Sequence, residues 1–534
     1  MIRINQIKQP LEGTDEDLLK AVSRKLGISK NIIKSLRVVR KSVDSRNKDN
    51  VFFVYSVDIE VSENEEEILC RAGSSDIMKT EIKEYVMPQN RRKSKFRPVI
   101  AGFGPAGMFG GLTLARAGLK PLILERGSEI DKRTRDVELF WKTGNLNEKS
   151  NVQFGEGGAG TFSDGKLNTG IKDPFCHHVL EEFASHGAPA EICCSAKPHI
   201  GTDRLKSVVK NIREEIISLG GEIIFDAKLC EIIVFNGVIQ GVTYEKDGEF
   251  FDFETDTLLL CIGHSARDTV RMLYSHGINM MQKPFSVGAR IEHPREMIDK
   301  AQYGKFAGHP ALGAADYKMA CHPPHGRGAY TFCMCPGGTV VAAASEKGGV
   351  VVNGMSEYGR NGENSNSALL VGIDPEDFPT EHPLSGFDLQ REIEEKAFIA
   401  GGEDYKAPCQ RVGDFLKNKP SEKLGSVKPS CPTGVKPSDI RLILPKKVTD
   451  TMSSAIVKMD TMLKGFAMED AVLTAAETRS SSPVRILRDE YYQTNIRGLF
   501  PAGEGAGYAG GIVSAAVDGI RCAHAILEDE SNEW

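Results

Sequence analysis

Residues 97–127, RPVIAGFGPAGMFGGLTLARAGLKPLILERG, constrain this chain more than any other stretch. The pattern predicts a short strand at 99–101, a glycine turn over 102–107, a helix from Pro105 to Ala117 and a second buried strand at 122–124. Pro105 suits the first helical position, where its missing N–H would be unpaired anyway, and Gly118 suits the helix exit. Such a unit is a pyrophosphate cradle. Gly102 permits the sharp turn, Gly104 leaves room for a phosphate against the backbone, and Gly107 lets the helix lie close on the strand. The helix start, Pro105-Ala106, then aims free N–H groups at the anion. Glu125 follows Gly102 by 23 residues, near the offset of ~20 at which an acid accepts from a ribose hydroxyl. Strand, turn, helix and acid fall in register, so the stretch reads as dinucleotide-binding.

At 534 residues the chain is too long for one core, and two or three domains are expected. The 54 glycines point to many tight turns, and a net charge of −6 argues against a general polyanion binder. No apolar run approaches the ~18 residues of a membrane span, and the N-terminus lacks the apolar core of a signal peptide. The 12 irregularly spaced cysteines suggest reduced thiols and a cytoplasmic protein.

Residues 1–95 read as a small α/β domain, with a helix over 15–26 and a strand over 51–61. This region holds 19 basic and 15 acidic residues, with ten basic residues and one acid between Lys20 and Lys48. The stripe lacks the aromatic residues of an RNA reader, so a solvated face is the favoured reading and a nucleic-acid partner is not expected. Arg91 to Lys95 reads as an exposed basic linker. Gly155 to Gly160 formally repeats GxGxxG, but no buried strand precedes it and no apolar helix follows. It reads instead as a loop that lets backbone approach a flat ring, with Gly157, Gly158, Ala159, Gly160 and Thr161 against the cofactor. A helix over 202–219 leads into a β-meander with turns at Asn236-Gly237 and Asp247-Gly248, ending on Leu258–Gly263. From about 285 to 460, strand-like pieces broken by glycine and proline suggest an inserted, mostly β domain. The last signal is LFPAGEGAGYAGGI at 499–512, opening a helix to about Leu527.

These pieces resemble the glutathione-reductase-like flavoproteins with two dinucleotide folds. More closely, QFGEGGAGTFSDGKL, KPHIGTDRL, GHSARDT, TFCMCPGG, ETRSSSPVRI and PAGEGAGYAGGIVSAAVDG together resemble a bacterial family of uncharacterised FAD-dependent dehydrogenases. The resemblance covers nearly the whole chain and implies FAD. It places the pyrophosphate on Gly102–Gly107, the adenosine ribose at Glu125 and Arg126, and the rest of the cofactor against Leu229, Gly263, Gly503, Glu504, Gly510, Gly511 and Ile512. Most members of the wider class carry aspartate where this chain has Glu504. The expected fold is therefore α/β: a Rossmann-like FAD-binding domain (βαβ unit, meander, C-terminal helix) in two parts, 96–284 and 461–534. A mostly β substrate domain, 285–460, is inserted, and a ferredoxin-like or similar α/β domain, 1–95, precedes it.

For catalysis, Arg479 and Arg485 stand among hydroxyl residues and suit a carboxylate or phosphate. His199 is a possible proton donor, and Lys166 a charge beside the flavin. Cys321, His322, His325, Cys333 and Cys335 match no usual zinc spacing, so no metal is expected. Cys333 and Cys335, one residue apart, are not read as a redox pair. The function expected is hydride transfer between FAD and a small, anionic organic substrate, with NAD(P)H as a transient reductant. An RNA-directed flavoprotein and a non-enzymatic flavin sensor are the alternatives. Oligomeric state is not legible.

Overall fold

The computed structural model describes residues 1–82, 84–323 and 326–530. The N-terminal region forms β1 (Ile2–Gln9), α1 (Asp15–Leu26), β2 (Ile33–Asp44), β3 (Phe52–Val61), α2 (Glu65–Ala72) and β4 (Ile77–Lys79). The sheet order is β2-β3-β1-β4, with every neighbouring pair antiparallel. This is the double split-βαβ arrangement of ferredoxin-like domains. Thr14 caps α1: its Oγ1 accepts from the Asp17 N–H at 3.3 Å, and Leu18, Val22 and Leu26 bury the face one turn apart. The basic stripe has a structural reason. Lys34, Arg37, Arg40 and Lys41 lie on β2, an edge strand, where charge hinders pairing with other chains.

The expected exposed linker holds for Arg91, Lys93 and Lys95 and is corrected at Arg92. Arg92 is buried, and its guanidinium pairs with Asp256 and donates to Thr257 Oγ1 at 3.1 Å. The linker also lies on the C-terminal helix, where Tyr85 Oη meets His524 Nε2 at 2.8 Å. The N-terminal domain docks further on: Lys41 N–H donates to the Cys194 carbonyl at 2.7 Å, and Phe306 and Leu312 pack on its core.

The nucleotide-binding sheet has five strands, all parallel: β5 (Val99–Ala101), β6 (Leu122–Leu124), β7 (Glu222–Ile224), β11 (Leu258–Leu260) and the late strand Leu499–Pro501. β5 stands at the centre, with β6 and β7 on one side and β11 and the late strand on the other. The predicted meander is β8 (Ala227–Phe235), β9 (Val238–Lys246) and β10 (Glu249–Glu254), forming its own sheet. Its turns put Asn236 and Gly237, then Asp247 and Gly248, at positive φ, which is why Asn-Gly and Asp-Gly stand there. Helix α3 (Pro105–Arg116) follows β5 and is crossed by the C-terminal helix Ile512–Glu528. The crossing is close because Gly519 meets α3 backbone; a Cβ there would lie 2.1 Å from the Ala106 carbonyl oxygen.

The inserted unit is a seven-stranded sheet. Its central strands, Asn364–Ile373, Phe285–Pro294 and Val472–Glu477, are neighbours in that order. The unit therefore extends to Glu477, past the boundary expected at 460, because Val472–Glu477 pairs antiparallel with Phe285–Pro294 and with Ala407–Arg411. It is also less purely β than expected, since helices Ser385–Gly401 and Lys446–Asp460 pack on the sheet. The central strand Asn364–Ile373 buries polar residues, Ser365, Asn366 and Ser367 among them. Among the described residues no helix is long and apolar enough to cross a membrane.

Candidate functional site

The cradle forms where β5 ends. Gly102 turns at φ 99°, and a Cβ there would lie 2.3 Å from the Cys261 carbonyl oxygen. A Cβ on Gly107 would lie 1.9 Å from the Gly102 carbonyl oxygen, so this glycine sets the contact of helix on strand and stands behind the site. Gly104 differs. Its missing Cβ meets only the Gly158 Cα, at 3.6 Å, and it faces a cavity of about 420 Å³. Pro105 and Ala106 line the same cavity at the helix start. Gly510 and Gly511 face it from the opposite side with nothing within 4 Å of a Cβ, beside Ile512 at the start of the C-terminal helix. Two helix N-termini thus converge on one cavity.

Glu125 is buried, and its carboxylate is a clamp. Oε2 accepts from the Phe103 N–H at 2.8 Å, and Oε1 accepts from the Gly127 and Gly155 N–H groups at 2.9 Å each. A carboxylate offers about four lone-pair sites, so one stays open toward the cavity that Glu125 lines. Arg126 borders the cavity too, paired with Asp268 at 2.6 Å and stacked over Phe154. Gly158, Ala159 and Gly160 line it as expected. Gly157 and Thr161 shape the loop from behind: a Cβ on Gly157 would strike Thr161 Oγ1, which donates to the Glu156 carbonyl at 3.3 Å. Leu229, Gly263, Gly503 and Glu504 complete this part of the lining. Burial pushes the Glu504 carboxyl up to about 7 against the opposing pull of Lys283. Sequence reasoning missed Asp518, which fixes the Gly503 turn by accepting its N–H at 2.7 Å while paired with Arg488.

The predicted catalytic residues separate. Lys166 lines the cavity; its Nζ is buried and makes no hydrogen bond among the described residues, with Asp164 Oδ2 at 3.2 Å. Burial works against its charge, but Asp164 overrules it and raises the ammonium above its ordinary value. Arg479 also borders the cavity, yet its fork grips buried Glu394 and its other edge meets Ser265 and Ser345. Arg485 instead lies against Gly507 and Tyr508, its Nε without a hydrogen-bond partner. His199 stacks on Tyr358 and pairs backbone to backbone with Lys166. The inserted sheet adds Cys333 and Glu477 to the lining, and Arg290 holds Glu477 from behind at 3.2 Å. Among the described residues no three His, Cys, Asp or Glu side chains gather as a metal site, and His325 lies outside them.

An open backbone cradle, a second helix N-terminus and an acid with one free acceptor site suit a dinucleotide carrying a pyrophosphate and a ribose. Residues 284–480 match the family model of "FAD-dependent protein, C-terminal domain-like", and residues 1–60 match a domain of unknown function (DUF8436). Fold and site together define an FAD-binding flavoprotein. A protein of Clostridium beijerinckii described as uncharacterized is 49% identical over 530 residues, 99% of this chain and 98% of that protein. The chain belongs to the same family as this clostridial protein.

Solved structures similar to this chain include the flavin-dependent brominase Bmp2, with 12% identity over 82% of this chain and 80% of that one, TM-score 0.38. A geranylgeranyl bacteriochlorophyll reductase-like protein of Thermoplasma acidophilum has 12% identity over 81% and 78%, TM-score 0.38. The glycerol-3-phosphate dehydrogenase of Bacillus halodurans, complexed with FAD, has 10% identity over 82% and 65%, TM-score 0.34.

Proposed function

We propose that the protein is an FAD-dependent oxidoreductase that moves a hydride between flavin and a small organic anion. One observation carries this reading: the cavity is continuous. The surface that includes Gly104 and Gly511 runs on to Cys333, Glu477 and Arg479 of the inserted unit, so cofactor and substrate share one space. Bound FAD supplies the redox chemistry, and the chain binds, orients and tunes it. The Ile512 helix start favours negative charge near the cofactor. Lys166 supports the choice of an anion, because its ammonium, ion-paired with Asp164 at 3.2 Å, lines the cavity wall where an incoming carboxylate can share its charge.

Arg479, held by Glu394, positions the cavity wall, and His199 positions Lys166 through their backbone pairing. One parallel nucleotide-binding sheet is present among the described residues. A nicotinamide reductant would therefore enter the shared cavity transiently.

The test is anaerobic stopped-flow reduction with NADH and NADPH, followed by a panel of carboxylate and enoate acceptors. Expected is flavin bleaching, then recovery with an anionic acceptor whose KM rises several-fold in Lys166→Met. FAD-loaded protein that turns over no donor–acceptor pair would sink the reading.

A further inference from the structure

One wall of the cavity carries two thiols where a strand leaves regular geometry. Strand Ala329–Cys335 pairs with Asn364–Ile373 in steady register from Ala329 to Phe332, and the register then slips so that Cys335 faces Asn366. The slip is a bulge, and Cys333 sits in it at φ 40°, a conformation L side chains seldom adopt. Bulges beside active sites re-aim a side chain. Here Cys333 is turned onto the cavity surface, while Cys335 is fully buried behind it.

The Cys335 thiol donates to the Cys333 carbonyl at 3.3 Å. Arg290, wholly buried, donates from Nη2 to the Cys333 carbonyl at 2.7 Å and lies 3.6 Å from Cys335 Sγ. Lys166 adds a second cation on the same wall. The neighbouring Cys335, with help from Lys166 and Arg290, holds the Cys333 thiol below its ordinary value despite burial. Its neighbour Cys333, with burial, pushes Cys335 well above it. A thiol favoured as thiolate beside a second thiol is the arrangement from which a disulfide closes.

One intervening residue argued against a redox pair. In a regular strand, residues i and i+2 lie about 6.6 Å apart, close to the ~6.8 Å limit of disulfide Cα spacing. The bend of a bulge relieves that spacing.

We propose that Cys333 and Cys335 form a dithiol/disulfide couple that exchanges an electron pair with FAD in this cavity; the proposal rests on the flavoprotein reading above. In the oxidising direction, the Cys333 thiolate and the Cys335 thiol join in an S–S bond. The Cys335 S–H bond breaks, and its proton passes with the electron pair to oxidised flavin, leaving reduced, singly protonated flavin. Charge is conserved, and the reverse step returns both thiols.

The test is anaerobic dithionite titration of full-length, air-oxidised protein carrying FAD, with mass mapping of the peptide that spans 329–335. Expected uptake is about four electron equivalents, two for flavin and two for the disulfide. Cys333→Ser and Cys335→Ser should each take up about two at unchanged flavin content. The wild-type peptide should lack two hydrogens before reduction and regain them afterwards. FAD content, read from the visible spectrum before titration, separates the two failures. A colourless protein overturns the flavin reading and the couple with it. A yellow protein that takes up about two equivalents, with both thiols free on mapping, overturns the couple alone.

Discussion

Glu394 receives Arg479 through two hydrogen bonds of 3.0 Å, Nε to Oε1 and Nη2 to Oε2, while Arg267 grips the same carboxylate at 2.9 and 3.1 Å. Glu394 and Arg267 are almost wholly buried, and Arg479 nearly so. Burial alone would raise the carboxyl, but the two guanidinium groups overrule it and hold it far below the ordinary carboxylate range. A depressed carboxylate contributes stability that is fully present above its unfolded value of about 4.3 and is lost as pH falls toward its folded value. Glu394→Gln leaves two buried cations short of a counter-charge and should cost roughly 3–5 kcal/mol. Urea unfolding at pH 7 measures this, and a cost below about 1 kcal/mol would refute the assignment.

Gly104 and Gly107 should fail differently. Gly104→Val places a side chain at the proposed pyrophosphate site, so the purified variant should fold, with unchanged far-UV circular dichroism, and carry no FAD. Gly107→Val drives a side chain into the Gly102 carbonyl and should lower expression and Tm. Full flavin content in Gly104→Val would refute the cradle.

Glu504 gives a pH signature. Burial raises its folded value to about 7, above the ~4.3 of an unfolded glutamate. Its contribution is complete below about pH 4.3 and is lost as pH rises through 7. Glu504→Gln, which cannot ionise, should match wild type at about pH 4 in FAD-free protein. It should exceed it at pH 8 by on the order of 1 kcal/mol, a figure reduced for screening at a side chain 28% exposed. Denaturant midpoints at the two pH values decide it; a variant weaker at pH 8 would sink the argument.

Arg92→Ala should destabilise the chain by roughly 3–5 kcal/mol, because it leaves Asp256 buried without its partner. Arg91→Ala, whose ion pair with Glu530 is exposed on both sides, should change stability by less than about 0.5 kcal/mol. Thermal melts of the two variants check the contrast.

Local signals reached far into this fold. The turn at Gly102 and those at Asn236-Gly237 and Asp247-Gly248 were legible because each places its residues at positive φ, a local backbone need. Hydrophobic period marked α1, and Pro105 and Gly118 bounded α3. The strand Asn364–Ile373 is hard to read because its serines and asparagines find their partners in distant parts of the chain, such as Glu292, Arg290, Tyr317 and Gly337. The strand Val472–Glu477 was assigned to the wrong unit because pairing with Phe285–Pro294, almost two hundred positions earlier, leaves no trace in local composition.

By itself the sequence marked a turn shaped for a dinucleotide, since steric and hydrogen-bonding demands at a cradle fall on a handful of consecutive residues. Tertiary structure alone decided what the charged groups around it do. Arg479 and Lys166 look alike in a string of letters, but Glu394 locks the fork of one, while Asp164 meets the other on the cavity wall. Arg92 read as linker until Asp256 came up against it. A bulge, set by pairing with Asn364–Ile373, puts Cys333 on the cavity wall and leaves Cys335 buried, a difference their shared spelling does not show. A side chain's charge and chemistry are written in the chain; its partner is chosen by packing.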